Sequence, residues 1–425
     1  MEYKLAKRTE LITYSEVREI LKIAQNPEVI SFAGGMPPAE LFPNLEFSRI
    51  SAEILSSGVE SLQYAPTEGY MPLRRWIAER MDKKWGIRRF TSSNILITGG
   101  SQAGLDLTSK LFLNTGDCVM CEEPTYLTAI NAFRIQEAEF VNMPCDDQGV
   151  VTDGLEELIR ARRPKMIYVI PVHQNPSGRT WSLERCQKFM DIVTRCEVPV
   201  VEDCAYFEIN FDGRSHYSLS MFDPKGLVIN LGSFSKVLAP GLRVAWISCC
   251  EYLCKKLAIL KQVSDLQTSY LNQMIIYGYL KNYDFDRHVA DICRTYRERC
   301  ELMIEELTKG LPKGVSFSHP DGGMFIWIQL PEFIKVRELL NVCMAGREVN
   351  GQKRKVAFVT GSPFYAYDAQ ANHIRLNFSN STFDRIRDGI KVFCSALKEA
   401  ISDYYRDKEN ENKDSVPGEA LRYGT

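Results

Sequence analysis

The sequence predicts an α/β fold: a large domain whose mostly parallel sheet lies between helices, joined to a smaller α+β domain. Two observations carry this. Between Ser93 and Ser248, short runs that are apolar nearly throughout alternate with amphipathic stretches. Strands buried on both faces read that way, and their alternation with helices implies an open sheet covered on both sides. Beyond Ser248 the alternation stops, and long charged helical stretches with a few isolated strands take over.

The apolar runs are Ile95 to Thr98, Cys118 to Cys121, Met166 to Ile170, Val198 to Val201, Leu227 to Asn230 and Val244 to Ile247. Helical segments such as Gln102 to Leu113 and Leu183 to Cys196 lie between them. Cys254 to Gly310 reads as largely helical. Val315 to Phe317, Met324 to Gln329 and Ile374 to Phe378 read as strands, with helices near Val336 to Glu348 and from Asp384 to Tyr404. The polar stretch from Asp407 to Thr425, with Pro417 and Gly418, reads as a frayed tail.

A chain of 425 residues is long enough for two domains and a large core. Its composition, 45% hydrophobic and 25% charged, is that of an ordinary globular protein. A formal net charge of −2 gives no bulk electrostatic reason to bind nucleic acid or a membrane surface. No apolar run reaches the length of a membrane span. Met1 to Glu10 is charged and lacks the apolar core of a signal peptide, so the expected location is cytoplasmic. Thirteen irregularly spaced cysteines, an odd number, read as reduced and mostly buried thiols. Cys118 and Cys121 form a C-x-x-C, but on a strand such residues face opposite sides. No metal site is expected.

In an open α/β sheet, ligands sit beyond the carboxyl ends of the strands, so the segments after each run matter most. Thr98-Gly99-Gly100-Ser101-Gln102-Ala103-Gly104 turns from strand to helix. Free amides at a helix start suit a phosphate, although many such turns are simply Gly-rich. Ile170 to Gly178 holds His173, Asn175, Pro176 and Ser177. It reads either as a rigid turn or as a loop presenting the Asn175 amide to a ligand; His173, with no partner in sight, reads as structural or as a rim residue. Asp203 ends a very apolar strand, where a carboxylate is expensive unless paired. It is either a helix cap or ion-pair member, or a partner for a protonated heteroaromatic nitrogen, with Tyr206 close by.

Ser233, Ser235, Lys236 and Arg243 fall within eleven positions between two apolar strands. They suit a phosphate pocket, and burial beside a cation would lower the Lys236 pKa toward a nucleophilic amine. Arg375, inside an apolar strand, is either a buried ion-pair partner or a bidentate clamp for a carboxylate.

Taken in order, Gly-Gly-Ser-Gln, Asn175-Pro176-Ser177-Gly178, Asp203-x-x-Tyr206, Ser233-x-Ser235-Lys236, Gly241-Leu242-Arg243 and the late Arg375 resemble the pyridoxal 5′-phosphate (PLP)-dependent aminotransferases of fold type I, class I/II. The likeness runs from about Val29 to Tyr404. Ile30 to Pro38 and Gln63-Tyr64-Ala65-Pro66 are similar to the kynurenine/2-aminoadipate and multi-substrate aromatic subgroup. The resemblance implies that Lys236 holds PLP covalently and shuttles the proton, that Asp203 keeps the ring nitrogen protonated, and that Tyr126 stacks on the ring. It implies that Asn175 and Tyr206 bind the ring's 3′-oxygen, and that Ser101, Gln102, Ser233, Ser235 and Arg243 bind the phosphate. Arg375 would take the substrate carboxylate with Gly35 nearby, and Tyr64 would reach the neighbouring subunit's site, implying a homodimer with shared active sites. Ser177 stands where the motif usually has Thr, and no second arginine for a distal carboxylate stands out.

The implied reaction moves an amino group from an L-amino acid (aromatic, 2-aminoadipate or broad in range) to a 2-oxo acid such as 2-oxoglutarate, by a ping-pong mechanism. The implied organisation is an N-terminal segment, residues 1–47, belonging to the small domain; a large PLP-binding domain, 48–310; a small domain, 311–406; and the tail, 407–425. Two rivals use the same fold: a PLP-dependent carbon–sulfur β-lyase, and a non-catalytic ligand-sensing regulator. Only about 30 residues precede the fold's motifs, too few for a DNA-binding module, which weighs against the regulator.

Overall fold

A computed structural model describes residues 3–11, 19–20, 22, 26–213, 216–367 and 372–414. Its centre is a seven-stranded sheet. From one edge to the other the strands are Ile95–Thr98, Ala245–Ser248, Val228–Ser233, Val200–Asp203, Met166–Val169, Cys118–Glu122 and Glu139–Met143. Ala245–Ser248 runs antiparallel to both neighbours, and all other pairings are parallel.

Alternate residues of the four strands from Val228–Ser233 to Cys118–Glu122 feed two separate cores, while Ile95 and Ile97 pack into a third. Val119, Cys121, Tyr168, Val201 and Ile229 pack on one face with Leu105 and Leu257 from the helices Ser101–Phe112 and Glu251–Ser264. Met120, Ile167, Val169, Val200 and Val228 pack on the other with Leu155, Ile159 and Phe189 from Leu155–Arg162 and Leu183–Cys196. The period of two along each strand therefore gives the helix-covered sheet its two faces. Glu139–Met143, which no apolar run marked, is one of the two edge strands; unlike Ile95–Thr98 at the other edge, which is buried throughout, it leaves Glu139 exposed and Val141 and Asn142 only partly buried.

The helical stretch after Ser248 resolves into Glu251–Ser264, Tyr270–Asn282 and Phe285–Gly310. The C-terminal region adds a four-stranded antiparallel sheet, ordered Ser316–Phe317, Phe325–Gln329, His373–Asn377 and Val359–Thr360. A three-stranded sheet joins Val29–Ser31 to Gln352–Ala357, so the N-terminal segment pairs with the C-terminal region.

Two expected boundaries shift. The helix from Val336 stops at Ala345, because Gly346 takes φ +86, and Arg347–Val349 is a strand rather than helix. The last helix runs Phe383–Asp414, ten residues past Tyr404, so residues 407–414 are helical rather than a frayed tail; 415–425 lie outside the described residues. All thirteen cysteines are free thiols. Among the described residues no helix is long and apolar enough to cross a membrane.

Candidate active site

Strand register assembles the site. Ala245 pairs with Thr98 on one side and with Ser233 on the other. Arg243, two residues before that strand, is thereby set beside Gly100, two residues after Thr98. Arg243 has φ +53 and donates from Nη2 to the Gly99 carbonyl at 3.1 Å and from Nη1 to that of Pro240 at 3.3 Å. Gly100 has φ +100, and a Cβ there would lie 2.1 Å from Arg243 Nη2. Only glycine fits that cradle. Gly100 also precedes the helix Ser101–Phe112, whose first turn has no side-chain cap and is left open to an anion. The hydroxyl of the buried Ser233 accepts from the Ser235 amide at 3.1 Å.

Asp203 ends the neighbouring strand. Its carboxylate accepts from the Tyr168 hydroxyl at 2.9 Å and the Ala205 amide at 3.1 Å. Burial pushes its pKa up to about 6, against the pull of those two donors and of Lys236. Lys236 Nζ donates to the Gly35 carbonyl at 2.7 Å. Burial first, then the Arg375 and Arg243 charges, bring its pKa down to about 8.

Asn175 links the two halves. Its amide nitrogen donates to Tyr206 Oη at 3.3 Å, and its Oδ1 accepts from Arg375 Nη1 at 2.8 Å. Arg375 Nη2 donates to the Ala33 carbonyl at 2.7 Å, while Nε is buried with no partner. The guanidinium lies between two rings, 4.1 Å from the Phe325 centroid and 5.0 Å from that of Phe364. Burial lowers its pKa to about 10 and pushes the Tyr126 and Tyr206 phenols up.

A cavity of about 720 Å³ opens at this point. Gly35, Gln102, Tyr126, Asn175, Tyr206, Lys236 and Arg375 line it. Asp203, Ser101, Ser233, Ser235 and Arg243 are not part of that lining: Ser101 precedes Gln102 and Ser235 precedes Lys236 in the chain, and Arg243 is exposed. Tyr64 is not brought in: it is 78% exposed on the surface of its own chain. Tyr70 packs edge-on against Tyr270 and Tyr277, away from the cavity. His173 is buried and does not line the cavity; it lies 3.0 Å from Thr180 Oγ1 and 3.3 Å from Asp321 Oδ1. Sequence reasoning missed Tyr168 and Phe325. Each lies in a strand, where an aromatic residue reads as core.

Lys236, Arg243 and Arg375 make no ion pair among the described residues, so the site gathers three cations, of which Lys236 acts on the buried carboxylate Asp203. An apoprotein held this way is short of negative charge. The donor set fits a ligand carrying a phosphate, for Arg243 and the open helix start; a basic ring nitrogen, for Asp203; and a carbonyl, for the Lys236 amine. Room and charge remain at Arg375 for a second anion.

Residues 29–393 match the family model of aminotransferases, class I and II. The chain is 37% identical over 393 residues to an aromatic-amino-acid aminotransferase of Thermococcus litoralis, covering 91% of this chain and 92% of that one. It is 39% identical over 391 residues to the 2-aminoadipate transaminase of Thermus thermophilus, covering 91% and 94%. The solved α-aminoadipate aminotransferase of Thermus thermophilus, complexed with N-(5′-phosphopyridoxyl)-L-leucine, superposes with a TM-score of 0.86 at 38% identity, over 94% of this chain and 98% of that one. With site geometry and kinship in agreement, the chain belongs to the class I and II aminotransferases, as a PLP-dependent enzyme of fold type I that transfers amino groups.

Proposed function

We propose that the enzyme takes its amino group from a broad set of L-amino acids, aromatic residues and 2-aminoadipate among them, and passes it to 2-oxoglutarate in a ping-pong cycle. The observation that carries this is that Lys236 and Arg375 line one cavity, with Asp203 acting on the Lys236 amine. Relatives that act on aromatic amino acids and on 2-aminoadipate support the donor range. The test is a screen of aromatic, branched, dicarboxylic and dibasic donors against 2-oxoglutarate, reading glutamate. Activity confined to a single donor class would overturn the broad range.

When bound, PLP supplies an electron sink for the charge left as an amino acid loses its α-proton. The residues do the rest. Lys236 holds the cofactor covalently and moves a proton at Nζ, which its lowered pKa equips it to do near neutral pH. Asp203 keeps the ring nitrogen charged. Asn175 and Tyr206 bind the 3′-oxygen, and Tyr126 covers the ring. Ser101, Gln102, Ser233, Ser235 and Arg243 hold the phosphate. Arg375 takes the α-carboxylate, using the guanidinium hydrogens not engaged by Asn175 and Ala33, while Gly35 leaves room beside it.

Two expected results follow from these roles. Arg375→Lys loses the planar fork, so kcat/KM for amino donors should fall by roughly 10²-fold while the visible band of the bound cofactor stays. An unchanged kcat/KM would remove Arg375 from carboxylate binding. Gly100→Ala drives a methyl into the Arg243 guanidinium, so cofactor affinity, measured by titrating apoenzyme, should weaken about 10-fold or more.

The homodimer belongs to the same reading. Val59, Leu62 and Tyr64 are each at least 70% exposed on one short segment, an apolar surface suited to a second copy. Tyr64 would then reach the partner's cofactor. Sedimentation should give a dimer, and a monomer with full activity would overturn this. The thirteen free thiols favour a reducing compartment, the cytoplasm.

A further inference from the structure

Tyr168 lies on the strand Met166–Val169, beside the strand that carries Asp203, and has no exposed surface. Its register partner is Val201. Val201 and Asp203 share a face, being two apart on one strand. The long tyrosine side chain therefore spans the gap, and its hydroxyl ends 2.9 Å from Asp203 Oδ2. The ring itself packs edge-on against Phe133, with centroids 5.5 Å apart. Phenylalanine would fill that core position equally well. The hydroxyl is an added polar group, costly in the core unless bonded, and Asp203 is the partner that satisfies it.

We propose that Tyr168 is a positioning residue for transamination: its buried phenol, acting through Asp203, holds the orientation and charge of the carboxylate that would meet the cofactor's ring nitrogen. This rests on the reading of Asp203 given above. The other groups facing Asp203 are the Lys236 amine, the Ala205 amide, the Tyr126 and Tyr206 phenols and the neighbouring Cys204 thiol. Among the described residues, Tyr168 is the only side chain that hydrogen-bonds the carboxylate. It is one of the influences that hold the Asp203 pKa down against burial. Without it, burial acts with less opposition, and Asp203 stays protonated to higher pH.

The experiment compares holoenzymes carrying Tyr168→Phe, Asp203→Asn and both. Tyr168→Phe should still fold and show the bound cofactor's visible band. Its kcat should fall about 10-fold with donor KM changed less than about threefold, and the acid limb of kcat should move up by about one pH unit. The pH titration of the resting enzyme's absorbance should move in the same direction. In the Asp203→Asn background the tyrosine substitution should add almost nothing, because both act through one carboxylate. A harmless Asp203→Asn would sink the reading of Asp203 itself. A severe Asp203→Asn with a Tyr168→Phe that leaves rate, pH profile and spectrum unchanged would overturn only the role of Tyr168. So would a Tyr168→Phe loss that persists in full in the Asp203→Asn background. Should Tyr168→Phe fail to fold, Tyr168→Met removes the same hydroxyl; failure of both assigns Tyr168 to structure and overturns the proposal.

Discussion

Replacing Lys236 with alanine is expected to abolish turnover, by roughly 10⁴-fold or more, and to remove the covalently held cofactor's visible band. The size follows from two losses at one atom. In the proposed mechanism the Nζ amine is both the attachment point and the group that moves the proton, and among the described residues no other lysine lines the cavity. Borohydride reduction of wild-type holoenzyme followed by peptide mapping should find the adduct on Lys236. An adduct elsewhere, or a Lys236→Ala enzyme with substantial activity, would overturn the assignment.

The same residue should weaken the apoprotein. Its folded pKa, about 8, lies below the ordinary 10.5, so between these values the unfolded chain binds more protons. Apoprotein stability then rises with pH through that window, and below about 8 the buried charge is a net cost. The gap corresponds to about 3 kcal/mol at most, and the amine's partial access to the cavity trims it toward about 2 kcal/mol. Lys236→Met should therefore raise the apoprotein's Tm at pH 7 while destroying catalysis. That is the pattern expected where function is built on strained electrostatics.

The central sheet was legible because burial on both faces leaves a plain mark. Six of its seven strands announce themselves as short apolar runs; the seventh, Glu139–Met143, escapes because Glu139 and Asn142 interrupt its apolar residues. Most of the cavity's chemistry was legible for a related reason. Residues just past strand ends, such as Asn175 and Lys236, are polar or charged interruptions of apolar surroundings. Tyr168 and Phe325 carry no such contrast. Each is an aromatic residue within a strand, and only the register that sets Tyr168 opposite Val201, and Arg375 opposite Trp327, reveals what the rings touch. Tyr64 illustrates a different limit: its proposed partner is a second copy of the chain. Helix ends were least legible. Nothing in Arg406 to Asp414 marks a stop, and charged residues continue a helix as readily as they end one.

Asp203→Asn carries the second large expected effect. Asparagine keeps the shape and can still accept from the Ala205 amide, but it removes the buried carboxylate that acts on the Lys236 amine. Loss of one preorganised electrostatic group in a dry site typically costs 10²–10³ in rate, and kcat should fall by about 10³-fold. The cofactor should remain bound to Lys236, because that bond does not depend on the carboxylate. Retention of more than about a tenth of kcat would show that the ring nitrogen's charge is not set here. Stability offers an independent readout. The folded pKa of Asp203, about 6, lies above the ordinary 3.8, so the native apoprotein binds more protons between those values. The carboxyl's favourable contribution is fully present below 3.8 and is lost as pH rises through about 6. Wild-type apoprotein should therefore lose stability across that window where Asp203→Asn does not, by about 3 kcal/mol at most. A variant that is more stable empty yet nearly inert when loaded would locate the cost of this site in a buried carboxylate that only the cofactor's cationic ring offsets.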